Sequence, residues 1–531
     1  MSVHFARKAT GLVRQAGAKD VFIYNVNFIN IAIGVTFMVL FMPAGSYPGA
    51  NLYWSTILVT LLALPTSLVY AMFASAMPRS GGEYVYISRV LSPLWGFAAN
   101  WNYTIWSFFY IGVPAAFLGR YGISALAREL GVLLHRPGLV QLGAWFTTPL
   151  GVAITGTILI LLFAAVFVAG VQTYMRIQNL LFAIAMAGLV VSVALLFHHT
   201  PATAIAAFNR YAQPFTGFGD TYRHILTTLG SGQIHQAPMS WRNTLVAMTW
   251  PFTVLGFSIA SAYIGGEIKG ANRAQLVGMP GSLLYSAAWI LVTVAAVFHA
   301  FGYRFLGNLG AVDPSAVHLG FTPTFSELSA SLTHNLGWVL LLGVGYLLWT
   351  YAWLPIYLLT TTRNLLAWAL DGLLPAQVAE VHDRWHAPVW AIWLSALLGI
   401  GFLWLYAYDP AFATIAGFFG QVAGTFLITS WAAIWFPYRQ PEMFEASPVA
   451  WRVGRLPLIS LLGALGVIGM SVIAWAFLQD PLSGISLQHP LMLLINAAVF
   501  VSGFLVFWVA RAVRARQGID LSLAYAEIPP E

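Results

Sequence analysis

The feature that most constrains this chain is the recurrence of apolar segments long enough to cross a lipid bilayer. A helix spanning the hydrocarbon needs about 20 mostly apolar residues, and only helices or closed barrels satisfy every backbone polar group there. The runs are long and continuous, so they read as helices. We place twelve spans, numbered helices 1 to 12, at 21–43, 52–76, 93–118, 150–171, 174–198, 244–265, 280–303, 337–366, 388–407, 411–436, 456–478 and 490–511. Charged residues make up only 8% of the chain and hydrophobic ones 59%, whereas soluble domains carry roughly 25% charge. The expectation is an all-α integral membrane protein. The absence of cysteine excludes disulfides, thiolate metal sites and cysteine nucleophiles. The first twenty residues carry Arg7, Lys8, Arg14 and Lys19 but no apolar core followed by a cleavage site, so no cleaved signal peptide is expected.

Basic residues set the orientation. With both termini inside, 17 of the 24 Lys and Arg fall on the cytoplasmic side and seven in the long loops 119–149, 199–243 and 304–336, which satisfies the positive-inside bias. The net charge of +7 follows from that orientation. The basic residues are scattered and form no stripe for nucleic acid. The expected location is the cell inner (cytoplasmic) membrane, with the bilayer as solvent. The chain then divides into a cytoplasmic segment 1–20, a first repeat 21–198 (helices 1–5), an extracellular loop 199–243, a second repeat 244–436 (helices 6–10), helices 11–12 in 437–511, and a cytoplasmic tail 512–531. The last fifteen residues read as disordered. Helices 11 and 12 read as a scaffold or a dimer contact, which leaves monomer and homodimer both open. Tyr222 to Leu229 read as a helix lying on the outer face.

Two spans are interrupted. Helix 1 carries Asn25, Asn27, Asn30 and Gly34 in an otherwise apolar run, and polar amides at membrane depth belong where they face protein or water. Helix 6 carries Pro251 and Gly256, and an interior proline leaves a carbonyl unpaired and kinks the chain. Breaks at the first and sixth of ten core helices are what a five-plus-five inverted repeat shows, and they mark the substrate site of secondary transporters. Amino ends of half-helices attract a carboxylate, and freed carbonyls accept an ammonium. Asn25 and Asn27 read as cross-links between neighbouring helices, and Trp250, beside the second break, as a gate.

Three stretches carry a family resemblance. Pro78, Ser80, Gly81, Gly82, Glu83, Tyr84 and Tyr86 follow helix 2; Gly256-Phe257 precede the run from Glu267 to Arg273; and Asp371, Pro375, Arg384 and Pro388 lie between helices 8 and 9. In that order they resemble the amino acid-polyamine-organocation (APC) transporters. Pro78 stops helix 2, Gly81 and Gly82 permit a tight reversal, and Glu83 with Arg89 is placed to brace the inward side.

The resemblance implies a pocket at mid-membrane for a small amino acid. Its carboxylate lies near Asn30, Ile31, Ala32, Ile33 and Gly34, and its ammonium lies toward Trp250, Pro251, Phe252, Thr253 and Leu255. Tyr103, Tyr346 and Trp349 are further wall candidates, and Thr350 is a candidate oxygen ligand for a coupling sodium ion. The family's glycine-rich run in helix 1 is here reduced to Gly34, and Ala185 stands where several proton-coupled members carry a lysine. No resident cofactor is expected beyond a coupling Na+ or H+, with exchange or facilitation as the alternative. Helices 1, 3, 6, 8 and 10 bring no charge to mid-depth, so a zwitterionic, neutral or apolar amino acid is expected. A cationic amino acid or polyamine held over the Trp250 ring is the alternative. The competing class is a membrane-embedded enzyme using His382, Asp383, Arg384 and His386.

Overall fold

The apolar segments fold as helices because, away from water, the helix is the local structure that satisfies its own amides and carbonyls. The computed structural model describes residues 11–41, 44–232, 234, 235, 237–409, 412, 417–485 and 490–525. Among these, ten helical stretches are long and apolar enough to cross a membrane, from Ala18–Leu40 to Leu491–Arg516. The only strands among the described residues are a two-residue hairpin, Arg452–Val453 against Leu456–Pro457. Two of the twelve expected spans do not reach that standard. Helix 3 is an unbroken helix, Pro93–Phe117, but it carries Asn100, Asn102, Thr104 and Ser107, all fully buried. Helix 6 is divided into short pieces, Trp241–Val246 and Thr249–Leu255.

Helix 3 tolerates its amides because it is a central post. It packs against helices 8, 9 and 12 and the short helix Glu83–Val90, so its polar groups meet protein and not lipid. Asn102 Nδ2 donates to the Gly420 carbonyl at 2.8 Å, and Asn364 Nδ2 donates to Thr104 Oγ1 at 2.8 Å. Helices 4, 5, 9, 11 and 12 turn leucines, isoleucines and tryptophans outward, among them Ile158, Leu180, Leu397, Ile468 and Leu505. Glycines let backbones close up where helices cross. A Cβ on Gly469 of helix 11 would overlap the Leu62 carbonyl of helix 2, and one on Gly188 of helix 5 would lie 2.8 Å from the Leu341 carbonyl.

Both described ends of the chain lie on one face. Gln15 and Ala16 donate backbone N–H groups to the Glu267 carbonyl, and Arg514 donates to the Gly372 and Leu374 carbonyls at 2.6 Å. The tail corrects its expectation in part: Leu521–Tyr525 forms a turn of 3₁₀ helix whose Tyr525 hydroxyl lies 3.0 Å from that of Tyr84. Residues 526–531 lie outside the described residues, as do 411 and 413–416 at the start of expected helix 10.

The opposite face holds the long loops, which are packed helices. Ser124–Leu133, Pro201–Thr216, Thr221–Thr228, Tyr303–Ala311 and Phe325–Ala330 form a cap. Thr221–Thr228 matches the expected surface helix, and Tyr222 stacks on Phe305 at 4.2 Å. Arg128 and Glu327, from the expected long loops 119–149 and 304–336, form a buried ion pair at 2.7 Å, with the Tyr211 hydroxyl donating to the same carboxylate at 3.2 Å. Removing one partner of such a pair strands the other charge, at a cost of about 3–5 kcal/mol. Arg128→Met is expected to lower the melting temperature of the purified protein markedly, and Arg128→Met with Glu327→Met to recover most of the loss.

Candidate functional site

Helix 1 stops at Asn30. This residue adopts a left-handed conformation, φ 61°, between Ala18–Ile29 and Ile31–Thr36. Asparagine is among the few non-glycine residues that visit that region readily, which is why the break falls here and not at Gly34. Gly34 serves packing instead, with a Cβ there only 3.0 Å from the Val254 side chain of helix 6. The Asn30 side chain reaches helix 8, Nδ2 donating to the Trp349 carbonyl at 2.8 Å, while Oδ1 has no partner among the described residues. Beyond the break the helix widens into a π turn, Phe37–Phe41.

Helix 6 breaks after Leu255. Pro251 sits near the start of Thr249–Leu255, and the chain leaves the helix at Gly256, passing through Ala260–Tyr263 before reaching Glu267. Helix 1 holds this loop. Asn25 Nδ2 donates to Ser261 Oγ at 2.9 Å, and the Ser261 N–H donates to Asn25 Oδ1 at 3.0 Å. The expected cross-linking role of Asn25 is thus given a definite partner. Helix 8, expected to be continuous over 337–366, is also interrupted: Leu336–Thr350 and Trp353–Leu370 are separated by Tyr351 and Ala352. Pro355, just inside the second piece, is the sequence signal for it. Trp353 Nε1 then donates to the Phe28 carbonyl at 2.6 Å, tying this third break to the first.

Beside the three breaks lie two adjoining cavities. One, of about 190 Å³, is walled by Phe37, Tyr110, Phe117, Thr253, Phe257, Trp353, Tyr357, Tyr406 and Phe418 among others. The second, of about 220 Å³, shares Phe37, Thr253, Trp353 and Phe418 and adds Trp250 and Asp480. Each is smaller than the roughly 300–1,000 Å³ pockets that hold drug-sized ligands, and suits one small solute. The first carries no charged wall residue; aromatic rings dominate it, with Val113 and the hydroxyls of Thr253 and the tyrosines.

The residues singled out in the sequence separate into groups. Thr253 lines both cavities and Trp250 the second. Asn30 to Gly34, Pro251, Phe252 and Leu255 are buried at the breaks without forming these walls. Tyr103 stacks on Tyr263 at 5.0 Å, the Tyr346 hydroxyl meets Thr36 Oγ1 at 3.0 Å, and Trp349 Nε1 donates to the Ala185 carbonyl at 3.3 Å. Thr350 Oγ1 donates to the Leu347 carbonyl at 2.6 Å and packs against Gly122. Sequence reasoning missed Phe37, Tyr110, Phe117, Trp353, Tyr357, Tyr406 and Phe418, because an aromatic that lines a cavity and one that fills a helix contact look alike in a row of letters.

The face carrying the termini is sealed by charge. Arg363, within the bounds expected for helix 8, is fully buried and forks onto Glu267 at 2.6 and 3.2 Å. Arg89 forks onto Asp371 at 2.9 and 3.1 Å, and Tyr84 donates to the same carboxylate at 2.7 Å. Glu83 and Arg89 hold this face through separate partners. Glu83 accepts from Asn100 Nδ2 at 2.9 Å, and burial pushes its carboxyl up to about 7. Gly81 and Gly82, with φ of 104° and 53°, make the reversal that sets Glu83 there. The enzyme candidates His382, Asp383, Arg384 and His386 lie on an exposed turn, His386 Nδ1 being 3.1 Å from the Gly11 carbonyl.

The amino acid permease profile matches residues 26–504, nearly the whole span of these helices. The chain belongs to the amino acid permease family. It is similar to the branched-chain amino acid permease BcaP of Bacillus subtilis (strain 168), 26% identical over 73% of this chain and 75% of that one. It is 25% identical to BcaP of Lactococcus lactis subsp. cremoris (strain MG1363) over 81% of this chain and 83% of that one. A methylthioribose transporter of Bacillus subtilis (strain 168) is 24% identical over 86% of this chain and 87% of that one. This permease is a multi-pass membrane transporter of amino acids, and the competing enzyme reading is set aside.

Glu83 offers a pH test of the seal. A carboxyl held near 7 in the folded protein and near 4.5 when unfolded favours folding most below 4.5, and that contribution is lost as pH rises through 7. The stability of the permease relative to its Glu83→Gln variant is expected to fall between about pH 5 and pH 8 in thermal unfolding. A pH-independent difference would show that the carboxyl is not buried as described.

Proposed function

We propose that this permease is a secondary active transporter that moves neutral, apolar amino acids of the branched-chain kind across the cytoplasmic membrane by alternating access. The observation that carries the reading is the uncharged aromatic cavity of about 190 Å³ beside interruptions of helices 1, 6 and 8. Such a wall favours an aliphatic side chain and disfavours a second charge, whose desolvation would go uncompensated. The BcaP relatives support the substrate class. In this proposal the chain has twelve spans in a five-plus-five inverted repeat, with the termini cytoplasmic as the basic residues require. The seal at Arg363 and Arg89 then closes the cytoplasmic side, and the substrate enters from outside.

We further propose that coupling does not use sodium at the contact of helices 1 and 8. There the Asn30 amide takes the Trp349 carbonyl, and the Thr350 hydroxyl is turned against Gly122, beyond the end of helix 3. Uptake by proteoliposomes is expected to favour leucine, isoleucine and valine and to be unchanged when potassium replaces sodium. Preferred uptake of glutamate, putrescine or methylthioribose would contradict the substrate class, and stimulation by a sodium gradient would contradict the coupling. Trp353→Ala is expected to reduce leucine uptake by about tenfold or more, since it removes both a wall of the cavity and the bond to Phe28.

A further inference from the structure

The second cavity contains a negative charge that nothing in the described chain neutralises. Asp480, immediately after helix 11, is only 5% exposed and lines the space of about 220 Å³. Its Oδ2 accepts from Thr249 Oγ1 at 2.5 Å, and its Oδ1 accepts from the Leu482 N–H at 2.9 Å and from the Tyr47 hydroxyl. Tyr47 in turn accepts from Trp250 Nε1 at 2.9 Å. All these donors are neutral. Among the described residues no Lys, Arg or His lies within ion-pair distance, whereas Glu267, Glu327 and Asp371 each face an arginine.

A hub that merely ties a loop to helix 6 needs no charge, and burying an anion without a cation costs several kcal/mol. A carboxylate also offers about four acceptor positions, of which three are used, so one is left on Oδ2. The surrounding wall says what would fill it. Trp250, Trp353, Phe418, Phe419 and Phe477 line the same cavity, and ring faces around a carboxylate suit an organic ammonium. A bare metal ion would call for several more oxygen ligands, and among the wall's side chains only the hydroxyls of Thr249, Thr253 and Ser483 add to the carboxylate.

We propose that Asp480 and these rings form a binding site for the protonated amine of an organic solute, separate from the uncharged cavity beside it. Its use as an antechamber that selects amine-bearing substrates rests on the transport reading above; the amine site itself does not. Such a site distinguishes ligands by chemistry, since an amino acid carries the ammonium and a thiosugar does not.

The test is calorimetric binding of isoamylamine, isoamyl alcohol and isocaproate to the purified full-length permease, with leucine uptake measured in parallel. The wild-type protein is expected to bind isoamylamine about tenfold or more tightly than the isosteric alcohol. Asp480→Asn is expected to abolish that preference without weakening isocaproate. Tyr47→Phe, which removes a hydrogen bond but keeps the charge, is expected to retain it. Equal binding of amine and alcohol by the wild-type protein overturns the proposal whether or not the variants fold. Parallel weakening of all three ligands in both variants assigns Asp480 to a structural clasp and overturns it too. Amine preference without leucine uptake sinks the transport reading and leaves the site, whereas uptake without amine preference sinks the site alone.

Discussion

A backbone that leaves its helix at membrane depth must find new partners for its amides and carbonyls, and here a few side chains supply them. Asn25 holds the loop of helix 6 through both groups of its amide, Asn30 takes a carbonyl of helix 8, and Trp353 takes one of helix 1. Each bond crosses from one interrupted helix to another. The breaks are therefore a mutually supported set, and losing one partner exposes an unsatisfied group on a different helix. The cavities lie where these helices cannot close on each other.

The charged residues act around that centre. On the face with the termini, two bidentate arginine pairs, Arg363 with Glu267 and Arg89 with Asp371, join the loop after helix 6 to helix 8 and the segment after helix 2 to the end of helix 8. Bidentate geometry makes such a seal specific as well as strong. On the opposite face Arg128 and Glu327 fasten the helical cap. In the proposed cycle only the first kind of pair has to part, and the desolvated charges make the closed state discrete. A buried ion pair is costly to break singly but nearly neutral to transfer to water as a unit, which fits a contact that opens and closes whole.

Much of this was legible in the sequence. The helices announced themselves through length and apolarity, and the break in helix 1 through a cluster of asparagines that lipid would reject. Pro251 and Gly256 marked helix 6 in the same way. Helix 3 was legible as a helix, although its amides keep it below the hydropathy of a lipid-facing one; centrality explains the exception. The aromatic wall was not legible, because nothing local separates Tyr110 or Phe418 from the other aromatic residues of the chain. Partners distant in sequence were equally hidden. Arg363 and Arg128 each find their carboxylate only after the chain has folded back over roughly a hundred residues or more.

The central claim is that a small apolar amino acid binds where the interruptions of helices 1, 6 and 8 meet. Determining the structure of the permease with leucine bound tests it most directly. The account predicts leucine with its side chain between Trp353, Thr253 and Phe257 and its backbone end toward Asn30. Leucine bound elsewhere, or a helix 1 that runs straight through Asn30 in the complex, would contradict it.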